Sequence, residues 1–238
     1  MFSIESWMRD YQKAVESRFG GRVWLIGLQG SYGRGEATAH SDIDAVLILD
    51  RLSAEDLQAY GRLLDTLPNR EKVCGFVSGK EELLAWEPAD LFQFCHDTTP
   101  ISGSLDSLLQ RIRTEDIRRA VRIGACSVYH MCAHNLVHEK SADILRGLYK
   151  SAAFTLQAVA FLRTGVYEKQ REALRSRLQP EDRRILEAGM ELTRKPAVSC
   201  RELADFSALL LDWASAWIRR TGSPQGEEGG EWSGGAGK

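Results

Sequence analysis

Residues 22–50 read RVWLIGLQGSYGRGEATAHSDIDAVLILD, which is two short apolar runs separated by a small, polar loop. The runs 22–29 and 42–50 are rich in β-branched and aliphatic side chains and are short, so we expect two buried strands. The residues between them predict a loop with one short helical turn. Polar groups therefore stand at the end of one strand and at the start of the next.

Two carboxylates open the second of these strands. Asp42 and Asp44 precede the apolar run from Ala45 to Leu49. Residues i and i+2 of a strand point to the same face with Cα atoms about 6.5 Å apart, so both carboxylates can converge on one divalent ion or bracket two ions. Carboxylate oxygens favour Mg²⁺, which also binds substrate phosphate oxygens. Asp42 and Asp44 are therefore the predicted metal ligands and catalytic carboxylates.

The loop before this pair has the features of a phosphate site. Gly30 has no Cβ and lets the backbone approach a ligand, and Ser31 adds a hydroxyl and an amide beside it. Backbone N–H groups in such a turn bind anions, and the guanidinium of Arg34 can donate charged hydrogen bonds to the same anion. Ser41, beside the carboxylates, is a further candidate for nucleotide binding. Phosphate donors next to metal ligands are the combination that nucleoside triphosphate chemistry requires.

The motif resembles the signature of the nucleotidyltransferases of the DNA polymerase beta superfamily: Gly-Ser, a spacer like the ten residues here, then Asp-x-Asp in a strand. Kanamycin nucleotidyltransferase and the aminoglycoside adenylyltransferases join this motif to a helical domain, and the layout of this chain is similar. The resemblance implies that Gly30 and Ser31 bind the triphosphate of an NTP, with ATP expected, and that Asp42 and Asp44 hold Mg²⁺. It also implies that a hydroxyl of a small-molecule acceptor, such as an aminoglycoside, attacks the α-phosphorus and releases pyrophosphate.

The chain departs from this family at the next strand, predicted over residues 72–77, KVCGFV. The family places a third carboxylate there, and the matching position is Cys74, which is not a Mg²⁺ ligand. Glu71 would point elsewhere in the pleat, and Asp90 and Asp97 belong to a later segment. Three possibilities stay open: the metal site has two carboxylates and is completed by water, the third acid comes from elsewhere in the chain, or activity is lost.

A helix predicted over residues 114–138 has no carboxylate beyond its first turn to act as general base, but it carries His130, His134 and His138 on one stripe. A histidine titrates near neutral pH, so His130 and His134 are the candidates for taking a proton from the acceptor hydroxyl. The same stripe fits a polar seam of a helical bundle or a transition-metal site. Lys150, on the following helix, is either a phosphate contact or a solvated lysine.

The two halves of the chain differ in pattern and charge. Residues 1–110 alternate predicted strands and helices and carry a net charge of −7, whereas residues 111–238 carry +5. Predicted helices alone fill residues 111–221, and residues 222–238, with seven glycines, predict a disordered tail. We therefore expect an α+β protein, with a small mixed-sheet nucleotidyltransferase domain, an all-helical bundle domain and the site in the cleft between them.

Composition narrows the possible classes of protein further. The chain has 43% apolar residues, no apolar run long enough for a membrane helix and no visible signal peptide, so we expect a cytoplasmic globular protein. Its net charge of −2 is not that of a general nucleic-acid binder. The five scattered cysteines are expected to be reduced and mostly buried. No oligomeric state is predicted.

Two other functions stay open at this point. The acceptor of a nucleotidyltransferase can be a protein, as for adenylyltransferases of the antitoxin type, although those are usually only the small α/β domain. The chain can also be a catalytically silent nucleotide-binding module, which the cysteine at the third position allows.

Overall fold

The computed structural model describes residues 2–222, so the predicted tail lies outside the described residues except for Gly222. The chain divides into two compact units, with Ile112 the last residue of the first and Arg113 the first residue of the second. The first unit contains the sheet, and the second is helical. This arrangement confirms the predicted fold class.

The first unit is built on a four-stranded mixed sheet in the order β3-β2-β1-β4. Its strands are β1 (Val23–Leu28), β2 (Ile43–Leu49), β3 (Val73–Gly79) and β4 (Thr99–Ser102). β1 pairs antiparallel with β2 and β4, and β2 pairs parallel with β3. The first three strands confirm the predicted ones. β4 has no counterpart in the prediction, because it is a short edge strand that contains proline, a residue without an N–H for the ladder.

Six α-helices flank this sheet within residues 2–112. They are α1 (Ile4–Phe19), α2 (Gly30–Arg34), α3 (Ala54–Leu64), α4 (Lys80–Leu84), α5 (Pro88–Asp97) and α6 (Asp106–Leu109). Alternate side chains of β2 enter two different cores: Ile43 and Leu47 pack in a cluster with residues of α1 and α3, whereas Val46 and Ile48 pack in a cluster with residues of α4–α6. The sheet is therefore covered on both faces, which is why β2 is apolar along its length.

The second unit contains no strand between residues 113 and 222. Its helices are α7 (Thr114–His134), α8 (Ala142–Thr164), α9 (Arg171–Arg177), α10 (Pro180–Arg194) and α11 (Cys200–Gly222), and a π-helical turn (Asn135–Glu139) follows α7. The indole N–H groups of Trp213 and Trp217 both donate to Asp182 Oδ1 at 2.9 Å, which ties α11 to the start of α10. None of the helices within residues 2–222 has the length and apolar character needed to cross a bilayer.

The cysteines are all free, but the expectation that most of them are buried is wrong. Cys95 and Cys132 are buried, whereas Cys74, Cys126 and Cys200 are exposed. Cys74 lies on the edge strand β3, where the sheet has no neighbour on one side. The other two exposed cysteines lie on helices, on positions that face away from the core of the second unit.

Candidate active site

The end of β1 and the start of β2 meet at the glycine loop. The N–H of Gln29 donates to the backbone oxygen of Asp44 at 2.9 Å, and Gly30 follows with φ of +67°, in the left-handed region. A Cβ placed on Gly30 would lie 1.7 Å from Asp44 Oδ2, so the Gly30 backbone packs directly against the carboxylate. Only glycine satisfies both the φ angle and the close approach. The two halves of the predicted motif are therefore in contact.

The glycine loop forms the short helix α2, as predicted. The N–H of Gly33 donates to Gln29 O at 3.0 Å, and the N–H of Glu36 donates to Ser31 O at 2.8 Å. Ser31 is half-buried in the first turn of α2. The first N–H groups of a helix have no acceptor within the helix, so those of Gly30 and Ser31 are the ones an anion at this end would use.

Arg34 and Ser41, two predicted nucleotide-binding residues, have partners within the loop. The Arg34 side chain is only 12% exposed, and its Nε lies 3.3 Å from Glu36 Oε2. The Ser41 hydroxyl oxygen accepts the N–H of Thr38 at 2.9 Å, which closes a turn directly before the carboxylates. Both side chains therefore help to hold the shape of the loop.

Asp42 and Asp44 lie where the sequence predicts them. Asp42 is exposed and directly precedes β2, and Asp44 is half-buried as the second residue of that strand. Asp44 has the same parity in the strand as Val46 and Ile48, which pack against α4–α6, so its side chain lies on that face. The carboxylates thus stand at the start of the buried strand β2, beside the loop.

Cys74 is the neighbour of Asp44 on β3. The parallel register pairs Asp44 with Cys74, and the thiol is exposed. Within residues 2–222 no three Asp, Glu, His or Cys side chains are arranged to hold a metal ion. Asp42 and Asp44 are nevertheless a donor set that fits Mg²⁺, which is bound in proteins by one or two carboxylates and completes its shell with water and phosphate oxygens.

The remaining predicted site residues lie in the second unit. His130 and His134 are exposed on α7, and the rings of His134 and His138 are 4.7 Å apart. The three histidines lie outside the apolar core of that unit and form no metal-binding group in the described part of the chain. Lys150 is exposed on α8.

Comparison with known proteins bears on this motif directly. Residues 8–94 match the nucleotidyltransferase domain family. The matched range contains Gly30, Ser31, Asp42 and Asp44, so the family model covers the segment that carries the predicted motif. No curated protein sequence matches the chain.

A solved structure supports the same fold. The spectinomycin adenyltransferase AAD(9) from Enterococcus faecialis, determined with ATP and spectinomycin, is similar to 91% of this chain over 100% of its own length, with a TM-score of 0.57 and 13% sequence identity. At this identity the likeness shows the fold alone. That fold is a mixed-sheet unit followed in the chain by a helical unit.

Two hydrogen bonds that support the first unit have no signal in the local sequence pattern. Lys72 Nζ donates to Ala39 O at 2.9 Å and anchors the loop that leads to the carboxylates. Gln29 Nε2 donates to Thr98 Oγ1 at 2.7 Å, which ties the glycine loop to the end of α5. These contacts join residues far apart in the chain, which strand and helix periodicity cannot reveal.

Proposed function

We propose that this chain is a nucleotidyltransferase that moves a nucleoside monophosphate from Mg²⁺-bound ATP to a hydroxyl of a small-molecule acceptor of the aminoglycoside type. The observation that carries the proposal is the contact between the Gly30 backbone and the Asp44 carboxylate, because it joins a phosphate-binding loop to metal-binding oxygens. The match to the nucleotidyltransferase domain supports the reaction class. ATP and the acceptor class are proposed because the structurally similar adenyltransferase was determined with ATP and spectinomycin.

Each part of the motif has a separate task in this proposal. Asp42 and Asp44 hold Mg²⁺, which when bound offsets the charge of the phosphate oxygens and polarises the α-phosphorus. The N–H groups of Gly30 and Ser31, with the Ser31 hydroxyl, bind the triphosphate oxygens. Arg34 and Ser41 keep the loop in the shape that aims these donors, and Lys150 is the proposed phosphate contact of the helical unit.

The transfer itself is a single displacement at phosphorus. The acceptor oxygen forms a bond to the α-phosphorus, the bond from that phosphorus to the bridging oxygen breaks, and pyrophosphate leaves with the electron pair. The proton of the acceptor hydroxyl passes to an imidazole nitrogen of His130 or His134, the proposed general bases. Positioning and charge stabilisation then account for most of the rate enhancement.

A second candidate is a nucleotide-binding module without transfer activity. The observation that favours it is the register of Cys74 beside Asp44, since a thiol stands where a carboxylate would add a third oxygen ligand. Both candidates predict nucleotide binding, and only the first predicts a covalent product.

Titration with ATP in the presence and absence of Mg²⁺ tests the binding that both candidates share. We expect Mg²⁺ to tighten ATP binding by the wild-type chain and to have little effect on Asp42→Asn or Asp44→Asn, because each variant replaces a charged oxygen with a neutral amide. Folding is checked by circular dichroism. If ATP binding by both variants depends on Mg²⁺ as strongly as ATP binding by the wild type does, Asp42 and Asp44 are not the metal ligands.

A further inference from the structure

Two exposed histidines are in contact where α7 ends. His134 is the last residue of α7, and His138 lies four residues further on, in the π-helical turn Asn135–Glu139. The centroids of their rings are 4.7 Å apart, and the ring planes are tilted by 48°. His130, one helical turn earlier, makes no ring contact with any residue in the range 2–222. The stripe of three histidines therefore contains one close pair.

The buried side chain of Asn135 fixes the turn that carries this pair. Its Nδ2 donates to Ser141 O at 3.0 Å, and its Oδ1 accepts the N–H of Ser141 at 3.0 Å. The N–H of Lys140, whose φ is +50°, donates to Asn135 O at 2.6 Å. These bonds join residues on either side of His138, so its backbone is ordered before any ligand binds. A ligand that needs both rings therefore has little backbone ordering to impose.

Two imidazoles at this separation suit a late transition-metal ion. A bond from an imidazole nitrogen to Zn²⁺ is about 2.0–2.1 Å long, so two nitrogens on one ion are at most about 4.2 Å apart. Because both rings are exposed and their centroids are 4.7 Å apart, small rotations bring one nitrogen of each ring within this distance. Imidazole suits Zn²⁺, Cu²⁺ and Ni²⁺, whereas Mg²⁺ prefers oxygen ligands. The pair therefore selects a different class of ion from Asp42 and Asp44.

We propose that His134 and His138 form a two-histidine site for a divalent transition-metal ion, with water completing the coordination shell. Within residues 2–222 no third metal-binding side chain joins them, so the ion stays open to solvent. The bound ion takes the nitrogen lone pair of His134, so His134 cannot act as a general base while the ion is bound. This consequence for transfer rests on the proposed function, whereas the metal site itself does not.

The test is calorimetric titration of the full, untagged chain with Ni²⁺, without ATP and with Mg²⁺ in excess at the carboxylates. The exposed thiols also bind Ni²⁺, so the background carries Cys74→Ser, Cys126→Ser and Cys200→Ser. We expect one tightly bound ion per chain. His134→Gln and His138→Gln should each weaken Ni²⁺ binding by about tenfold or more, because the second nitrogen of a chelating pair acts at a high effective concentration. Circular dichroism checks that each variant is folded.

The matched control is His130→Gln, which removes an exposed imidazole from α7 and leaves the close pair intact. It should bind Ni²⁺ as tightly as the background does. Ni²⁺ should also raise the melting temperature of the background and of His130→Gln but not that of His138→Gln, because an ion held by the folded turn stabilises it. If Ni²⁺ does not bind, or binds His138→Gln as tightly as His130→Gln, the two-histidine site is wrong. No ATP or acceptor is present, so a failure of the proposed transfer would leave these results unchanged.

Discussion

At the scale of single residues, Gly30 allows the most selective test of the site. A Cβ at Gly30 would lie 1.7 Å from Asp44 Oδ2, so Gly30→Ala forces the carboxylate to turn away. We expect this variant to lose nucleotide transfer and Mg²⁺-dependent ATP binding, because both need Asp44 in place. The measurements are ATP titration and melting temperature.

Gly35→Ala is the control for the backbone strain of that substitution. Gly35 also has a positive φ, +72°, but a Cβ there meets nothing within 4 Å. Both variants should therefore lose about 1–2 kcal/mol of folding stability from the left-handed conformation. If Gly35→Ala loses Mg²⁺-dependent ATP binding to the same extent as Gly30→Ala, the contact with Asp44 is not what matters.

Cys74 gives the second prediction at this scale. Because Cys74 is exposed and in register with Asp44, a carboxylate there would be a third oxygen ligand rather than a buried charge. We expect Cys74→Asp to lower stability slightly without metal, by roughly 0.2–1 kcal/mol from like-charge repulsion across the strands. Added Mg²⁺ should then raise its melting temperature more than it raises that of the wild type.

Cys126→Asp adds the same charge at an exposed position of α7 and serves as the control. It should respond to Mg²⁺ as the wild type does. Equal responses of Cys74→Asp and Cys126→Asp would place Cys74 outside the metal shell.

At the scale of elements, the start of α11 leads to a pH-dependent prediction. The Ser199 hydroxyl and N–H, and then the Lys195 ammonium, lower the pKa of Glu202 to about 2. A depressed pKa in the folded state adds stability above the unfolded pKa of about 4.3, and this stability is lost as the pH falls toward the folded value. Glu202→Gln should therefore melt at a lower temperature than the wild type at pH 7, and the gap should close as the pH approaches the folded pKa.

Asp212→Asn removes a carboxylate from an exposed position of the same helix and is the control for net charge. Thermal melts between neutral and acidic pH compare the three proteins. If the difference in melting temperature between Glu202→Gln and the wild type stays constant with pH, the carboxylate of Glu202 is not the titrating group.

The elements also show how far the sequence could predict the fold. The strands β1 to β3 and the long helices follow from hydrophobic periodicity. The pattern Ser-x-x-Glu, which is typical of a capping box, occurs at Ser199 and at Ser78. It forms a capping box at Ser199 with Glu202, whereas Ser78 is a buried residue of β3 and the helix α4 begins after Gly79. The short helices α5 and α6 have no counterpart in the prediction, since each has too few turns for a clear apolar stripe.

The arrangement of the candidate site could be predicted where it is local and not where it is long-range. Gly30, Ser31, Asp42 and Asp44 lie within one segment, so their spacing alone indicates a candidate site. The packing of Gly30 on Asp44 depends on how β1 and β2 pair, and the anchor from Lys72 to the loop depends on β3. Such contacts are decided by tertiary packing, which a single sequence does not record.

At the scale of the whole molecule, we propose that a nucleotidyltransferase domain is joined to a helical unit that supplies further groups for transfer. The first unit carries the proposed metal-binding carboxylates and the glycine loop, and the second carries the histidines and Lys150. Neither unit contains all the groups that the proposed reaction requires. We therefore propose that both are needed for transfer.

The most direct test of the proposed transfer is incubation of the full chain with Mg²⁺ and ATP labelled at the α-phosphorus, with spectinomycin and a panel of other aminoglycosides as acceptors. We expect the label to move to an acceptor with release of pyrophosphate, and a label at the γ-phosphorus not to move. Asp44→Asn, although folded, should transfer nothing. Mg²⁺-dependent ATP binding without α-label on any acceptor, or transfer of the γ-label, would contradict the proposed transfer.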